Sequence, residues 1–415
     1  MTRTSVTVLA TSVLLAGGAL GAAAFVLPPS VSFERVREVV AVSSPTTTPA
    51  GPVVKHISTP EPMYAIYMTQ CAVGTPSLRT TLVELIETTK LNAVVIDIKD
   101  YSGTIAFKPH SEQLKPAWEA AKCGASDMKE FIESLHEKGI YVIGRITVFQ
   151  DPFIAKTHPE RSVQSKSRPG EPWKDHKGLS FVAVNNEAHW HYILELSRES
   201  YELGFDELNY DYVRWPSDGP MDDIVYPSND RAGELEKFFA FLHDQVKSFD
   251  TSRHGGHVLV MSADLFGYTT VLTDDLGIGQ VLERALPYFD YIAPMVYPSH
   301  YNKGYQGLAN PNNDPYKVVY TSMVEAVRRA QATTTPVAGL AHTRIGTSTP
   351  AVYEKPVHSP LKLRPWLQDF DYGKDYLPQD ILDQTRATYD AGLTSWFFWD
   401  PANRYQNVRA VLESE

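Results

Sequence analysis

Phe205-Asp206-Glu207-Leu208-Asn209-Tyr210-Asp211-Tyr212-Val213-Arg214-Trp215-Pro216 reads as a strand that begins half-buried and ends among polar and aromatic groups. Leu208, Tyr210 and Tyr212 alternate with Asn209, Asp211 and Val213, the period of two that a strand imposes. Pro216 ends the pairing, since it has no N–H to donate. An Asp and an Arg beside a Trp at a strand's carboxyl end point to chemistry on a sugar more than to packing.

Working outward, short apolar strands are expected at Met63–Thr69, Ala93–Asp97, Ile140–Val148, Glu207–Tyr212, Val258–Asp264, Tyr291–Tyr297, Pro336–Ala341 and Ser395–Trp399. Helices lie between them. Thr75-Pro76 opens one, Ser126 caps a second that stops at Lys138-Gly139, and Asn185 or Asn186 starts a third ending at Leu203-Gly204. Asp314-Pro315 opens a later one, and Ala391-Gly392 closes the last before the eighth strand. Eight strands alternating with helices predict an α/β fold, a single-domain (β/α)8 TIM barrel. A doubly wound open sheet is the weaker alternative, because no Gly-rich phosphate loop follows any strand. The long segments 150–181, 216–230, 299–313 and 342–376 then fall after strands three, four, six and seven, on the active face, and the αβ turns are expected to be short.

The strand ends supply the candidates: Asp97, Lys99 and Asp100 after strand two, Arg145 on strand three, and Asn209, Asp211, Arg214 and Trp215 on and after strand four. Strand five gives Asp264, strand six Tyr297 with His300 beyond it, and strand eight Trp399 and Asp400. Carboxylates supply acid, base and nucleophile for glycosidic cleavage, and aromatic faces stack on sugar rings.

The segments Val95–Asp100, Gly144–Pro152, Phe205–Pro216, Ser262–Gly267, Ala293–Tyr301 and Trp396–Asp400 resemble the glycoside-hydrolase-like family known as domain of unknown function 4015, over roughly Met63 to Tyr405. That resemblance implies a barrel hydrolase of polysaccharide and no particular substrate. The arrangement also resembles the α-amylase-like enzymes, which makes Asp211 the expected nucleophile and Asp264 the general acid/base. It departs from them in carrying Asp instead of Glu on strand five and an Arg three residues after the strand-four Asp. The strand-four segment is similar to that of family 18 chitinases too, but Val213 stands at the chitinase acid, so their mechanism is not expected.

Each candidate has a plainer reading. Asp211 could serve a structural pair with Arg145 or Arg214, and Asp264 a helix N-cap. Asp97 and Asp100 flanking Lys99 could form a salt-bridge cluster. Arg145 is expected to point inward and hold a carboxylate ionised. Trp215, Trp366 and Trp399 are candidate stacking platforms, and Trp396 is read as core. Ser262 has no Gly-x-Ser-x-Gly elbow around it. His189 and His191 do not share a helix face, and neither a metal nor any other cofactor is expected.

The chain has 415 residues, 43% hydrophobic and 11% aromatic, with 7 Trp and 22 Tyr, enough for a large core and inclined to carbohydrate binding. A net charge of −11 argues against a nucleic-acid partner. Residues 1–33 read as a signal peptide or membrane anchor: Arg3 precedes a charge-free apolar run through Phe33. Residues 34–62, rich in Ser, Thr and Pro from about Ala41, read as a flexible linker, so that a chain beginning near Pro60 is expected to fold by itself. Residues 63–415 form the barrel domain. Cys71 and Cys123 could pair in an exported protein or remain two buried thiols. The expectation is an exported or cell-envelope hydrolase that cleaves polysaccharide by a two-carboxylate retaining mechanism, any membrane contact being made through the N-terminal segment. The alternative is a non-catalytic carbohydrate-binding protein on the same barrel. The oligomeric state is not legible in the sequence.

Overall fold

The structure, a computed structural model, describes residues 53–414. Eight strands close into a parallel barrel: β1 (Tyr64–Met68), β2 (Ala93–Lys99), β3 (Tyr141–Thr147), β4 (Glu207–Asp211), β5 (Val260–Phe266), β6 (Tyr291–Met295), β7 (Trp366–Gln368) and β8 (Trp396–Trp399). Each pairs with its neighbours in chain order, and β8 returns to β1 with Tyr64 opposite Trp396. A helix follows every strand: α1 (Pro76–Glu87), α2 (Met128–Glu137), α3 (Glu187–Leu203), α4 (Arg231–Lys247), α5 (Leu282–Ala285), α6 (Pro315–Gln331), α7 (Pro378–Asp390) and α8 (Gln406–Leu412).

Local chemistry sets the helix ends. The side chains of Asn186 and Asp314 accept from the backbone N–H three residues on, satisfying donors that the first turn leaves open. α3 stops where Gly204 takes φ +109°, which a side chain would resist. α2 begins after Asp127, one residue beyond the expected Ser126, and the Asp127 carboxylate pairs with Arg79 instead of the helix N–H groups.

Period-two alternation builds two cores. Ile66, Val94, Ile96, Val142, Ile146, Leu208 and Tyr210 pack outward under the helices. Ala65, Tyr67, Val95, Tyr141, Ile143, Ala293, Trp366 and Phe397 fill the barrel interior.

The seventh strand differs from the sequence reading. Pro336–Ala341 is not a strand; it belongs to an excursion between α6 and β7 that carries a small antiparallel sheet of Thr334–Thr335, Thr343–Ile345 and Val352–Glu354. Pro336 lacks a donor and Gly339 has no side chain to pack, which makes this apolar run a poor barrel strand. The true strand, Trp366-Leu367-Gln368, is only three residues long and pairs with β6 through Trp366 and Met295 alone. The α6–β7 connection is therefore long, and only the part of 342–376 beyond Gln368 lies on the active face.

The reading of residues 1–33 lies outside the described residues. Among those described, no helix is long and apolar enough to cross a membrane. Of the segment 34–62, residues 53–62 are described, and they dock on the barrel. Val54 N–H donates to Arg253 at 2.8 Å, Ile57 N–H donates to Asp206 at 2.9 Å, and His56 Nδ1 lies 3.4 Å from Asp206. Residues 53–62 therefore belong to the folded body, and a chain starting at Pro60 would strip a fully buried Asp206 of two partners.

Cys71 and Cys123 form a disulfide that ties the β1–α1 and β2–α2 segments, their Cα atoms 4.8 Å apart. The bridged segments touch closely: a Cβ on Gly74 would fall 2.5 Å from the Gly124 carbonyl oxygen. Closing a loop with sequence separation 52 restricts the unfolded chain by about 4 kcal/mol. Replacing both cysteines by Ser should accordingly lower the thermal midpoint by several degrees. An unchanged midpoint in calorimetry would show the bridge to be stabilising nothing.

Candidate active site

At the carboxyl ends of the strands the inward positions turn polar, and one cation organises them. Arg145, from β3, is buried and donates from Nη1 to Asp97 Oδ1 at 2.6 Å. Its Nε and Nη2 both donate to Asp211 Oδ2, the Nε bond at 3.1 Å. The same Nε lies 3.9 Å from Asp264 Oδ2. Strands β2, β4 and β5 thus bring three buried carboxylates around one guanidinium, the planar fork that suits several acceptors at once. Since one nitrogen lies within 3.9 Å of both, the nearest oxygens of Asp211 and Asp264 are no more than about 7 Å apart, which suits two carboxyls acting on one glycosidic bond.

The two acids sit in unlike surroundings. Asp211 takes the Arg145 fork and the N–H of Tyr212 at 2.5 Å. Tyr212 holds φ +52°, a left-handed conformation unusual for a bulky residue, directly after β4. Asp264 Oδ1 instead accepts from two neutral donors, Asn209 Nδ2 at 2.8 Å and Trp366 Nε1 at 2.7 Å. Burial, and then the negative charge of Asp211, push the Asp264 carboxyl well above the ordinary carboxylate range, against the pull of Arg145. Burial likewise raises Asp97 to about 6, opposed by Arg145 and by the Tyr67 hydroxyl that donates to it. Burial disfavours charge on Arg145 as well, but Asp211 and Asp97 outweigh it and keep the guanidinium protonated.

A cavity of about 430 Å3 opens over these groups, lined by Arg145, Asp211, Asp264, Tyr297, His300 and Trp399, with Arg214 at its edge. Trp399 stacks on Tyr67 with ring centroids 3.8 Å apart, and Arg145 sits 5.0 Å over the Trp399 ring. Gly267 allows the β5 loop to close the wall, since a Cβ there would meet the Tyr301 hydroxyl at 2.2 Å.

Other expected site residues lie elsewhere. Lys99 is fully buried, donates to the Thr147 carbonyl at 2.6 Å and pairs with Asp151 at 2.9 Å. A register shift between Asp97 and Lys99 breaks the alternation that would have kept both on one face. Asp100 is occupied with Ser102, accepting from its N–H at 2.9 Å and its hydroxyl at 2.5 Å, and does not line the cavity. Trp215 is buried against Tyr226, and Trp366 is interior core, so neither is a stacking platform. Arg214 does not reach Asp211; it lies over the rings of Tyr212 and Phe266 and donates to the Trp215 carbonyl at 3.0 Å. Asp400 spends its oxygens on the N–H groups of Ala402, Arg404 and Tyr405, while bordering an adjoining cavity. Val213 is buried in the outer core, so no acid is missing from the cleft at that position. Tyr67 escaped the sequence reading, although its alternation with Ala65 on β1 could have placed it inward.

Residues 65–405 match the model of a family, domain of unknown function 4015, described as "Putative glycosyl hydrolase domain". The chain belongs to this family. Its barrel is similar to the PgaB (BpsB) glycoside hydrolase domain of Bordetella bronchiseptica, at TM-score 0.56 and 15% identity over 85% of this chain and 99% of that one. It is similar also to α-L-fucosidase isoenzyme 2 of Paenibacillus thiaminolyticus, at 0.54 and 10% over 85% and 48%. A hypothetical protein from Ruminiclostridium thermocellum is 26% identical over 51% of this chain and 98% of its own, at TM-score 0.41. No curated protein sequence matches the chain. At these identities the two glycosidases speak for the fold; the family speaks for the kind of domain.

Proposed function

We propose that the protein is an exported glycoside hydrolase that cleaves a polysaccharide with retention of configuration. One observation carries this: two carboxyls beside the same Arg145 nitrogen, one held by a cation and one buried among neutral donors. Environments that drive two acids apart assign their roles. Asp211, paired with Arg145, attacks the anomeric carbon as the glycosidic C–O bond breaks, and Asp264 gives its proton to the departing oxygen. Water then displaces the sugar from Asp211, returning a proton to Asp264. With Oδ1 committed to Asn209 and Trp366, Oδ2 is left to carry that proton. Trp399 and Tyr297 offer the flat walls, and the disulfide is in keeping with an oxidising compartment.

An acid must be protonated to work, so activity should be present below the folded pKa of Asp264 and be lost as pH rises through it. Asp264→Asn should erase that alkaline limb and slow natural substrates by about 10²–10⁴. Nitrophenyl glycosides, whose leaving group needs no proton, should keep a fast first step, seen as a burst of nitrophenolate, while the water step that uses Asp264 as base stays slow. Folded Asp264 also binds its proton more tightly than the unfolded chain does, so its burial costs stability as pH rises. The Asn variant should therefore gain thermal midpoint over wild type at pH 8 more than at pH 4. Screening envelope and storage polysaccharides by reducing-end release tests the activity itself. Sugar binding without turnover, unaltered by Asp211→Asn, would make the protein a carbohydrate-binding barrel instead.

A further inference from the structure

The cleft does not stop at the carboxylates. Beyond the wall of Tyr297, His300 and Trp399 a second cavity of about 520 Å3 opens between the segments that follow β7 and β8, sharing those three residues with the first. Both volumes are in the range of small-molecule sites. We propose that this second cavity is a sugar subsite next to the reacting one, with Tyr372 as its stacking platform, so that the protein is specific for chains spanning both. The inference rests on the glycosidase reading and names the part of that site that measures length.

Tyr372 is the outermost of an unbroken run of rings. Tyr297 meets Phe370 edge-on at 5.6 Å, His300 meets Phe370 at 5.9 Å, and His300 meets Tyr372 at 5.6 Å with the ring planes 34° apart. The run thus continues the aromatic wall of the first cavity into the second. Tyr372 is 64% exposed, and an aromatic face kept in water is an unfavourable surface to leave uncovered. Its position is nevertheless fixed. Asn312 Nδ2 donates to the Tyr372 carbonyl at 2.7 Å, Tyr376 N–H donates to Asp371 at 2.7 Å, and the Tyr376 hydroxyl donates back to Asn312 at 2.8 Å. The fold therefore spends three hydrogen bonds on holding a bare ring at the mouth of a polar cavity. Arg404 and Gln406 line the same cavity. A flat apolar face against a rim of hydrogen-bonding groups is the complement of a pyranose, whose ring hydrogens lie on its faces and whose hydroxyls lie at its edge.

The test uses the Asp211→Asn protein, so that bound chains survive, and probes of one to six units from gluco-, galacto- and N-acetylglucosamine series, read by calorimetry. In the series that binds, affinity should rise at least about tenfold once the chain is long enough to enter the second cavity. Tyr372→Ala, added to Asp211→Asn, should abolish that rise so that long and short probes converge, and Tyr372→Trp should restore it. Because the ring is exposed, its removal should leave the thermal midpoint where it was, which separates lost binding from lost folding. Affinity that does not grow with length, or that grows equally without the Tyr372 ring, overturns the subsite. In either case reducing-end release by the wild type would show the glycosidase reading still standing. If no probe binds and the wild type releases no reducing ends from the polysaccharide panel, both readings fall together.

Discussion

Asp211→Asn should lower kcat by about 10⁴ or more, with substrate affinity changed far less. Loss of a catalytic carboxylate or its charge at a site of this type removes about that much, since the remaining binding groups still act. Asn occupies the same volume and can still accept from the Tyr212 N–H, so the β4 end should keep its shape. It cannot form the covalent bond to the anomeric carbon, and it leaves Arg145 with one fewer anion to oppose its burial. Steady-state turnover on a polysaccharide that the wild type cleaves, together with calorimetric affinity for that polymer, separates the two effects. Retention of more than about a tenth of wild-type kcat would move the nucleophile's role to another group.

Arg145→Leu should be the most damaging single change to stability near the site. It leaves Asp97 and Asp211 buried without their cation and takes the nearest positive charge from Asp264. Breaking a buried ion pair from one side costs about 3–5 kcal/mol, chiefly through the charge left behind. Asp97, at about 6 in the intact protein, and Asp264 would then titrate still higher, since Arg145 is the charge that pulls both down. The sign follows. Below their raised pKa values the acids are neutral and need no cation, so the deficit shrinks on acidification and grows as pH rises. Thermal midpoints of wild type and variant should lie closer together at pH 5 than at pH 8. A gap independent of pH would mean that Arg145 acts by packing and not by charge.

The local signals of the chain were sufficient for most of its architecture. Short apolar runs and helix caps locate seven of the barrel strands, because those runs are bounded by the start and stop signals of the helices between them. They also locate Asp211, Asp264, Arg145, Asp97, Tyr297 and Trp399 at the strand ends, and the family's motifs run through the same segments. What could not be read there depends on partners far away in sequence. Trp366 is a ring in a three-residue strand whose place is fixed only by β6 and β8, so the more apolar Pro336–Ala341 outweighed it. Lys99 sits two residues from a site acid, yet one register shift turns it to Asp151. Arg145 and Arg214 were equal candidates to pair with Asp211, and only the barrel shows that Arg145 reaches it. The alternation of side chains along a strand is local and is written in the sequence. Which strand lies alongside which, and therefore which carboxylate meets the guanidinium and which meets neutral donors, is decided only when the barrel closes.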